Sequence, residues 1–300
     1  MTTVMSKSGS WVVVQRNPLS GSGRGARELR RLLVELRARG YRVRLFSERA
    51  RLDAWMRGAA GVSEVRCIVA AGGDGTVADL VNRHPGVPLA ILPMGTENLL
   101  AKYLGMRRCG RSLAGVIAEG RVLRLDSATA NGRRVLLMVS CGPDADVVSD
   151  VHRRRVGHIS RWSYVFPVLR ALLWSGQRRF EVTAAELSGP ACGSHVIISN
   201  VPRYGFEIPF APEALPDDGL LDVRVYRGSG RWVLLWHLLR LKLGLPTGEW
   251  ETTRFRTTSV SVCELDGVLG AEFQADGDPG GCLPLQVRVE PGSLCLLSRG

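Results

Sequence analysis

Lysine is nearly absent: Lys7, Lys102 and Lys242 are the only lysines among 40 basic residues, the rest being arginine. Long apolar runs are absent too. An arginine, glycine or proline interrupts each one before the ~18 residues that a membrane helix needs, which excludes a helical integral membrane protein. The polar segment 1–10 lacks the apolar stretch of a signal peptide, so a cytoplasmic protein is expected. The cysteines (67, 109, 141, 192, 263, 282 and 295) are odd in number and include no CxxC pair; they read as reduced thiols, neither a disulfide framework nor a metal cluster. The histidines at 84, 152, 158, 195 and 237 show no ligand spacing and read as surface or satisfied core residues. No zinc-finger spacing, RNP-type aromatic motif or recognition helix is visible, so no nucleic-acid partner is expected.

What remains is an ordinary globular composition, 45% hydrophobic and 23% charged over 300 residues, long enough for two cores. The formal net charge of +12 favours anionic partners such as nucleotide phosphates or an acidic lipid surface, though general solubilising charge accounts for it as well.

Residues 1–125 alternate in the α/β manner. Strand-like runs at 11–15, 41–46, 66–71 and 87–92 are separated by glycine-rich loops and helical spacing, with leucines at 29, 32, 33 and 36 on one helix face. A second helix candidate runs over 51–57, a third follows Thr76 through Asn82, and a fourth runs from Gly95 to Leu104. Strand, loop and helix in repetition predict a parallel sheet with crossover helices. Beyond about residue 125, short alternating runs at 121–130, 135–141, 179–187, 194–200, 221–226, 257–265 and 285–290 predict a β-sandwich-like second domain over 126–300, interrupted by helical stretches at 160–174 and 231–243.

In open parallel sheets, ligands bind beyond the carboxyl ends of the strands. Three small-residue loops are expected there: Asn17-Pro18-Leu19-Ser20-Gly21, Gly72-Gly73-Asp74-Gly75-Thr76 and Gly95-Thr96-Glu97-Asn98. Glycines let the backbone approach a phosphate, whose charge exposed N–H groups and a helix N-terminus then balance. Thr76 and Thr96 add hydroxyls. Asp74 suits a phosphate site poorly unless a cation or backbone donors offset its charge, in which case it braces the loop. Neither a Walker P-loop nor GxGxxG is present.

These loops, in this order and with Leu99-Leu100-Ala101 after the third, resemble the diacylglycerol kinase catalytic-domain family, which includes bacterial lipid kinases and sphingosine kinases. Leu215-Pro216-Asp217-Asp218-Gly219-Leu220-Leu221-Asp222 looks like that family's DDGxLD segment, and Asp276-Gly277-Asp278 stands where the family has Asp-Gly-Glu. The resemblance spans residues 12 to about 290. It implies an N-terminal nucleotide domain of the NAD kinase/phosphofructokinase-like type, over 1–125, and a second domain carrying metal-binding and catalytic carboxylates. ATP phosphates would be gripped by Asn17, Pro18, Ser20 and Gly21 together with Gly72, Gly73, Asp74, Gly75 and Thr76. Ser47, Gly95, Thr96 and Asn98 would line the same site. Mg²⁺ would be held by the carbonyls of Leu215 and Leu220 and the carboxylate of Asp218, hard oxygens of the kind it requires. Asp278 would take the proton of a lipid hydroxyl, supported by Asp276. Without the resemblance, Asp276-Gly277-Asp278 reads as a hairpin turn.

The chain departs from the family pattern at Leu99, where an aspartate is usual, at Ala78, where asparagine is common, and at Asp278, which replaces a glutamate one methylene longer. The activity expected is an ATP-dependent kinase acting on a diacylglycerol-like or sphingoid lipid. The rivals are an NAD kinase and a catalytically impaired lipid- or nucleotide-binding protein. Peripheral contact with an anionic membrane is expected through Trp162, Tyr164, Phe166 and Trp174, or through Trp232 and Trp236, all flanked by arginines; the alternative is that both segments pack on the β domain. An exposed sheet edge would permit a homodimer.

Overall fold

The computed structural model describes residues 2–4, 10–18, 23–58, 64–153, 178–205, 207–228, 240, 252–265 and 270–299. The predicted helices at 160–174 and 231–243 with their aromatic anchors lie outside these residues, Arg240 excepted, as do Ser20 and Gly21. The chain forms two compact units, one of residues 1–125 with 292–300, the other of 126–291. The sequence assigns 292–300 to the second domain; in the structure these residues join the first.

In the first unit the chain runs β1 (Thr2–Val4), β2 (Trp11–Arg16), α1 (Gly23–Ala38), β3 (Arg42–Phe46), α2 (Arg49–Arg57), β4 (Val65–Gly72), α3 (Asp74–Arg83), β5 (Leu89–Pro93), α4 (Leu99–Tyr103), α5 (Gly110–Glu119) and β6 (Arg121–Ala130). Strands β3, β2, β4 and β5 lie side by side and parallel, with Val14 opposite both Leu45 and Val69, and Ile68 opposite Leu89. Both faces are covered, so β4 is buried at every position, the continuous apolar run expected of a central parallel strand. One face packs Val12, Val14, Val69 and Leu92 against Leu29, Leu32 and Leu36 of α1 and Leu113 and Ile117 of α5. Gly120 ends α5 in the left-handed conformation (φ 66°), where a side chain would be strained.

The second unit contains β7 (Arg133–Val135), β8 (Met138–Cys141), α6 (Pro143–Arg153), β9 (Phe180–Ala184), β10 (Ala191–Gly193), β11 (His195–Ser199), β12 (Leu221–Tyr226), β13 (Thr252–Thr257), β14 (Ser259–Glu264), β15 (Glu272–Ala275), β16 (Asp278–Cys282) and β17 (Leu285–Leu297). One antiparallel sheet has the order β13-β12-β11-β8-β15-β16, and β10-β9-β14-β17 form the facing layer. Period-two alternation sends Val139, Cys141, Val196, Ile198, Val223, Val225 and Phe273 inward, onto Val182, Val260, Val262, Leu285 and Val287 of the other layer. The result is a β-sandwich. Strand β17 pairs with β14 through Leu285–Arg288, and its far end pairs with β5 through Leu296.

One buried charge stands out in the first unit. Arg66, on β4, donates from Nε to the Ile117 carbonyl (2.7 Å) and from Nη2 to the Ala118 carbonyl (3.1 Å), satisfying acceptors at the carboxyl end of α5. Its guanidinium also lies over the Tyr41 ring, 5.6 Å from the centroid. Arg66→Met would keep the volume and strand both carbonyls. It is expected to cost about 2–4 kcal/mol, read as a lower urea midpoint at unchanged slope.

Candidate active site

The strand order places a topological switch point between β2 and β4: the chain leaves β2 for β3 on one side and returns to β4 on the other. A crevice for ligands is expected beyond the carboxyl ends of these two strands. The segments that follow them run together there, for the Asn17 N–H donates to the Ala71 carbonyl (3.1 Å) and the Met94 N–H to the Gly72 carbonyl (2.8 Å). Phe46 is in register with Gln15, so Ser47 emerges at the same edge. The fold therefore collects Asn17, Pro18, Ser47, Gly72–Thr76 and Gly95–Asn98 at one end of one sheet, with Pro18, Ser47, Gly75 and Thr96 exposed.

Two of these segments touch through glycine alone. A Cβ on Gly95 would stand 2.5 Å from Gly73 Cα and 3.1 Å from Asn98 Oδ1. A Cβ on Gly72 would collide with the Thr76 hydroxyl, which is buried and has no hydrogen-bond partner among the described residues. Asp74 opens α3, yet its carboxylate turns to the next segment and accepts the Leu99 and Leu100 N–H groups at 2.9 and 3.1 Å. It thus caps α4 from another element, and backbone donors offset its charge. Burial still holds its carboxyl above the usual range, against those N–H groups that lower it. Asn98 adopts the left-handed conformation (φ 51°) and closes its own loop, accepting the Gly95 N–H (2.8 Å) and donating to the Gly95 carbonyl (2.7 Å). Arg108, which the sequence does not single out, ties the same loop by donating to the Pro93 carbonyl (2.8 Å). The same segment opens α3, a ten-residue helix whose amino-end dipole favours an anion, although the Thr76 N–H already donates to the Gly73 carbonyl (2.9 Å).

In the second unit, Asp276 and Gly277 are the central residues of the β15–β16 hairpin, both at positive φ (53° and 85°), with Ala275 paired to Asp278. This is the two-residue turn that Asp-Gly favours. The Asp276 carboxylate accepts the N–H groups of Leu136 (2.8 Å), Leu137 (2.7 Å) and Met138 (3.2 Å), and its own N–H donates to the Met138 carbonyl (3.0 Å). Its oxygens are engaged in fixing the hairpin. Asp278, the next residue but one, is the outward carboxylate, its side chain 44% exposed and 3.7 Å from the Arg133 guanidinium. The hairpin that Asp276-Gly277-Asp278 predicts is thus present, with Asp278 as the first residue after its turn.

Asp218 accepts the Leu220 N–H (3.0 Å) and pairs with Arg256, whose Nε lies 3.7 Å from Asp222. Burial, with Glu213 nearby, pushes the Asp222 carboxyl up to about 6, and Arg224 opposes it. Asp126 accepts the Gly219 N–H (2.7 Å), and its own N–H donates to the Pro216 carbonyl (2.6 Å), so the whole 216–220 turn is fixed to β6. Among the described residues no three histidine, cysteine or acidic side chains converge on a metal site. The set of Leu215, Leu220 and Asp218 fits Mg²⁺ in donor type, since main-chain carbonyls supply the hard oxygens that side chains do not.

Sequence reasoning overlooks α5, α6, Arg108, Arg133, Asp126 and a polar cluster in which Asp144, partly exposed, meets the buried Ser140, His195 and Gln274. Helix α6 had a legible start: Pro143 at its first position, then Asp144 and Asp146 in the first turn. The polar cluster had none, because its members come from four separate elements. For the glycine-loop site, Asp74→Ala removes the cap of α4 and is expected to cost about 1–2 kcal/mol, measured by chemical denaturation.

Residues 11–130 match the diacylglycerol kinase catalytic domain, and residues 137–298 match the YegS C-terminal NAD kinase beta sandwich-like domain. The diacylglycerol kinase of Staphylococcus aureus strain bovine RF122 / ET3-1 is 25% identical over 280 residues, covering 89% of this chain and 86% of that protein. That of Staphylococcus saprophyticus is likewise 25% identical, over 89% and 88%. Among solved structures, a diacylglycerol kinase from Bacillus anthracis str. Sterne is similar in fold, with a TM-score of 0.69 at 20% identity over 98% of both chains. Yeast NADH kinase complexed with NADH shares the fold more distantly, with a TM-score of 0.54 at 8% identity over 98% of this chain and 85% of that one. With a kinase-type parallel sheet followed by this sandwich, the chain belongs to the family that joins a diacylglycerol kinase catalytic domain to a YegS C-terminal domain.

Proposed function

We propose that this chain is an ATP-dependent lipid kinase that transfers the γ-phosphoryl group to the hydroxyl of a diacylglycerol-like or sphingoid lipid. The observation that carries the reading is the gathering of Asn17–Pro18, Gly72–Thr76 and Gly95–Asn98 at the carboxyl ends of the first unit's parallel strands, in a family whose curated relatives are named diacylglycerol kinases. ATP phosphates would lie against the amino end of α3, contacted by the Asn17, Gly72–Thr76 and Gly95–Asn98 segments. Thr96 supplies an exposed hydroxyl, whereas that of Thr76 is buried beside Gly72. Asp74 and Asn98 act by shaping the loops from within.

Asp278 is the base in this reading: exposed where Asp276 is tied down, it takes the proton of the lipid hydroxyl as the oxygen attacks phosphorus. Phosphoryl transfer asks mainly for positioning and charge stabilisation, so one well-placed carboxylate suffices for the protein's acid–base part. Arg133 beside it balances the charge before the proton arrives. The carbonyls of Leu215 and Leu220 with Asp218 would hold Mg²⁺, which when bound would stiffen the 215–222 segment. The net charge of +12 supports peripheral contact with an anionic membrane, where such a substrate resides. No helix among the described residues is long and apolar enough to cross one.

The test is transfer of labelled γ-phosphate from ATP with Mg²⁺ to a panel of mixed-micelle lipids, with NAD present as a soluble acceptor. Label is expected in a lipid, and Asp278→Ala is expected to lower the rate by about 10²- to 10⁴-fold. Label in NAD would overturn the lipid assignment. ATP binding without transfer to any acceptor would favour a binding protein whose shortened carboxylate no longer serves as base. Gly95→Ala, which drives a methyl into Gly73, is expected to weaken ATP binding by at least about tenfold, or ~1.4 kcal/mol, measured by calorimetry.

A further inference from the structure

On the six-stranded sheet of the second unit, alternation places one set of side chains in the sandwich core and the other on the opposite face. That second face is not wet. Ser140 and Gln274 are fully buried there and His195 nearly so, with α6 packed against β8, β15 and β16. Gln274 stands directly opposite Ser140 across β15 and β8. Ser140 Oγ donates to one oxygen of Asp144, and His195 Nε2 lies 2.9 Å from the other. Gln274 Nε2 donates to Ser140 Oγ (2.7 Å), and Gln274 Oε1 accepts the Gly277 N–H (2.9 Å) and, more weakly, the Tyr204 hydroxyl (3.4 Å).

We propose that the chain Asp144–Ser140–Gln274 holds the Asp276–Gly277 turn in the one conformation that presents Asp278, making Ser140 and Gln274 positioning residues for phosphoryl transfer. The inference rests on the role of Asp278 proposed above. Its physical basis is the fixed polarity of the chain. An ionised carboxylate only accepts hydrogen bonds, so Asp144 directs the Ser140 proton toward itself. Ser140 then has only lone pairs to offer Gln274, which must present its NH₂ to the serine and its oxygen to Gly277. The amide cannot flip without facing oxygen against oxygen at one end and N–H against N–H at the other. Burial alone would raise the Asp144 carboxyl, but His195, Ser140 and the Ala145 N–H outweigh it and hold it below its usual range. The ring of His195 is itself fixed by stacking on Tyr226, with centroids 5.5 Å apart.

The hairpin is thus clamped twice: Asp276 ties it to residues 136–138, and the Gly277 N–H ties it to the buried chain. Removing the second tie leaves the turn with the first alone. A displacement of about 1 Å at Asp278 suffices to cost on the order of 100-fold in rate.

Gln274→Glu tests this, because the substituted carboxyl can imitate the amide only while protonated. Neutral, it donates its O–H to Ser140 and accepts the Gly277 N–H; ionised, it sets an oxygen against the serine lone pairs. Burial and the neighbouring Asp144 place its ionisation above the usual glutamate range. The other titratable or charged groups around this position are His195 on β11, Tyr204 ahead of β12, Glu272 and Asp278 on the hairpin strands, Arg133 on β7, and Asp146, Asp150 and Arg153 of α6. All are present in the unsubstituted protein, so the ratio of variant to unsubstituted kcat at each pH removes their contribution. That ratio is expected to fall at least about tenfold from about pH 5 to about pH 8, with KM for ATP unchanged and hydrogen exchange of the Gly277 amide accelerating over the same range. A flat ratio with unaltered Gly277 exchange overturns the inference. Should that variant not fold, Ser140→Ala decides: faster Gly277 exchange with lower kcat at constant KM supports the chain, and no change in either overturns it. Failure of the kinase reading is distinguishable, since the unsubstituted protein would then phosphorylate no lipid, or Asp278→Ala would keep its rate. In that event the positioning role in phosphoryl transfer falls with it, and Gly277 exchange reports only whether the chain holds the turn.

Discussion

The glycine-loop site depends on one close approach, that of the Gly73 and Gly95 backbones. A methyl on Gly95 would stand 2.5 Å from Gly73 Cα, far inside contact distance. Because the two segments meet without side chains, the Asp74 carboxylate reaches across to the first N–H groups of α4. That bridge determines where α4 begins, and Asn98 closes the loop ahead of it. A parallel sheet supplies the place, at its switch point. The glycine contact and the bridging carboxylate supply the shape.

In the second unit the work is done by polar groups where a sandwich of this kind would ordinarily meet water. Alternation along β8, β11, β12 and β15 puts Ser140, His195, Arg224 and Gln274 on the face turned from the core, and each is buried. Buried polar groups are costly unless satisfied, and satisfying them restricts how they can be arranged. Hydrophobic packing tolerates small shifts, whereas a hydrogen-bonded chain with a fixed donor direction does not. The strands of this face are therefore locked in rotation as well as in register, next to the hairpin that carries Asp276 and Asp278.

Much of this was legible in the residues. The parallel sheet followed from strand-like runs at 11–15, 66–71 and 87–92 separated by helical spacing, whose ends lie within two residues of those of β2, β4 and β5, whereas β1 has no such signal. The alternating runs of the second unit marked β9, β11, β12 and β14. Strands β15 and β16 escaped because β16, Asp-Pro-Gly-Gly-Cys, has the composition of a turn; its pairing with β15 imposes the strand. Helix α5 is hard to read because it opens on Gly110 and carries Gly115 in its interior, residues that weaken a helical signal. The glycine loops and Asp276-Gly277-Asp278 were readable as motifs, but the difference between the two aspartates was not. Only the partners of Asp276, drawn from residues 136–138, set its bound carboxylate apart from the exposed one two residues later. Likewise Ser140, Asp144, His195 and Gln274 are scattered over 135 positions and share no local pattern. Their relation exists only through the register of β8 and β15 and the placement of α6.

Strand β17 carries a consequence for how the protein is made. Domains of a growing chain generally fold in order of synthesis, yet here the sheet that begins at Trp11 receives Leu296 beside Leu89. Cys295 and Leu297 lie in the same core as Val12 and Leu32. The first unit is thus completed only after the second has been made: until Leu296 has been translated, β5 keeps an open edge and the core beneath it lacks a wall. Throughout synthesis of the intervening 166 residues, that edge must be shielded from pairing with a neighbouring nascent chain.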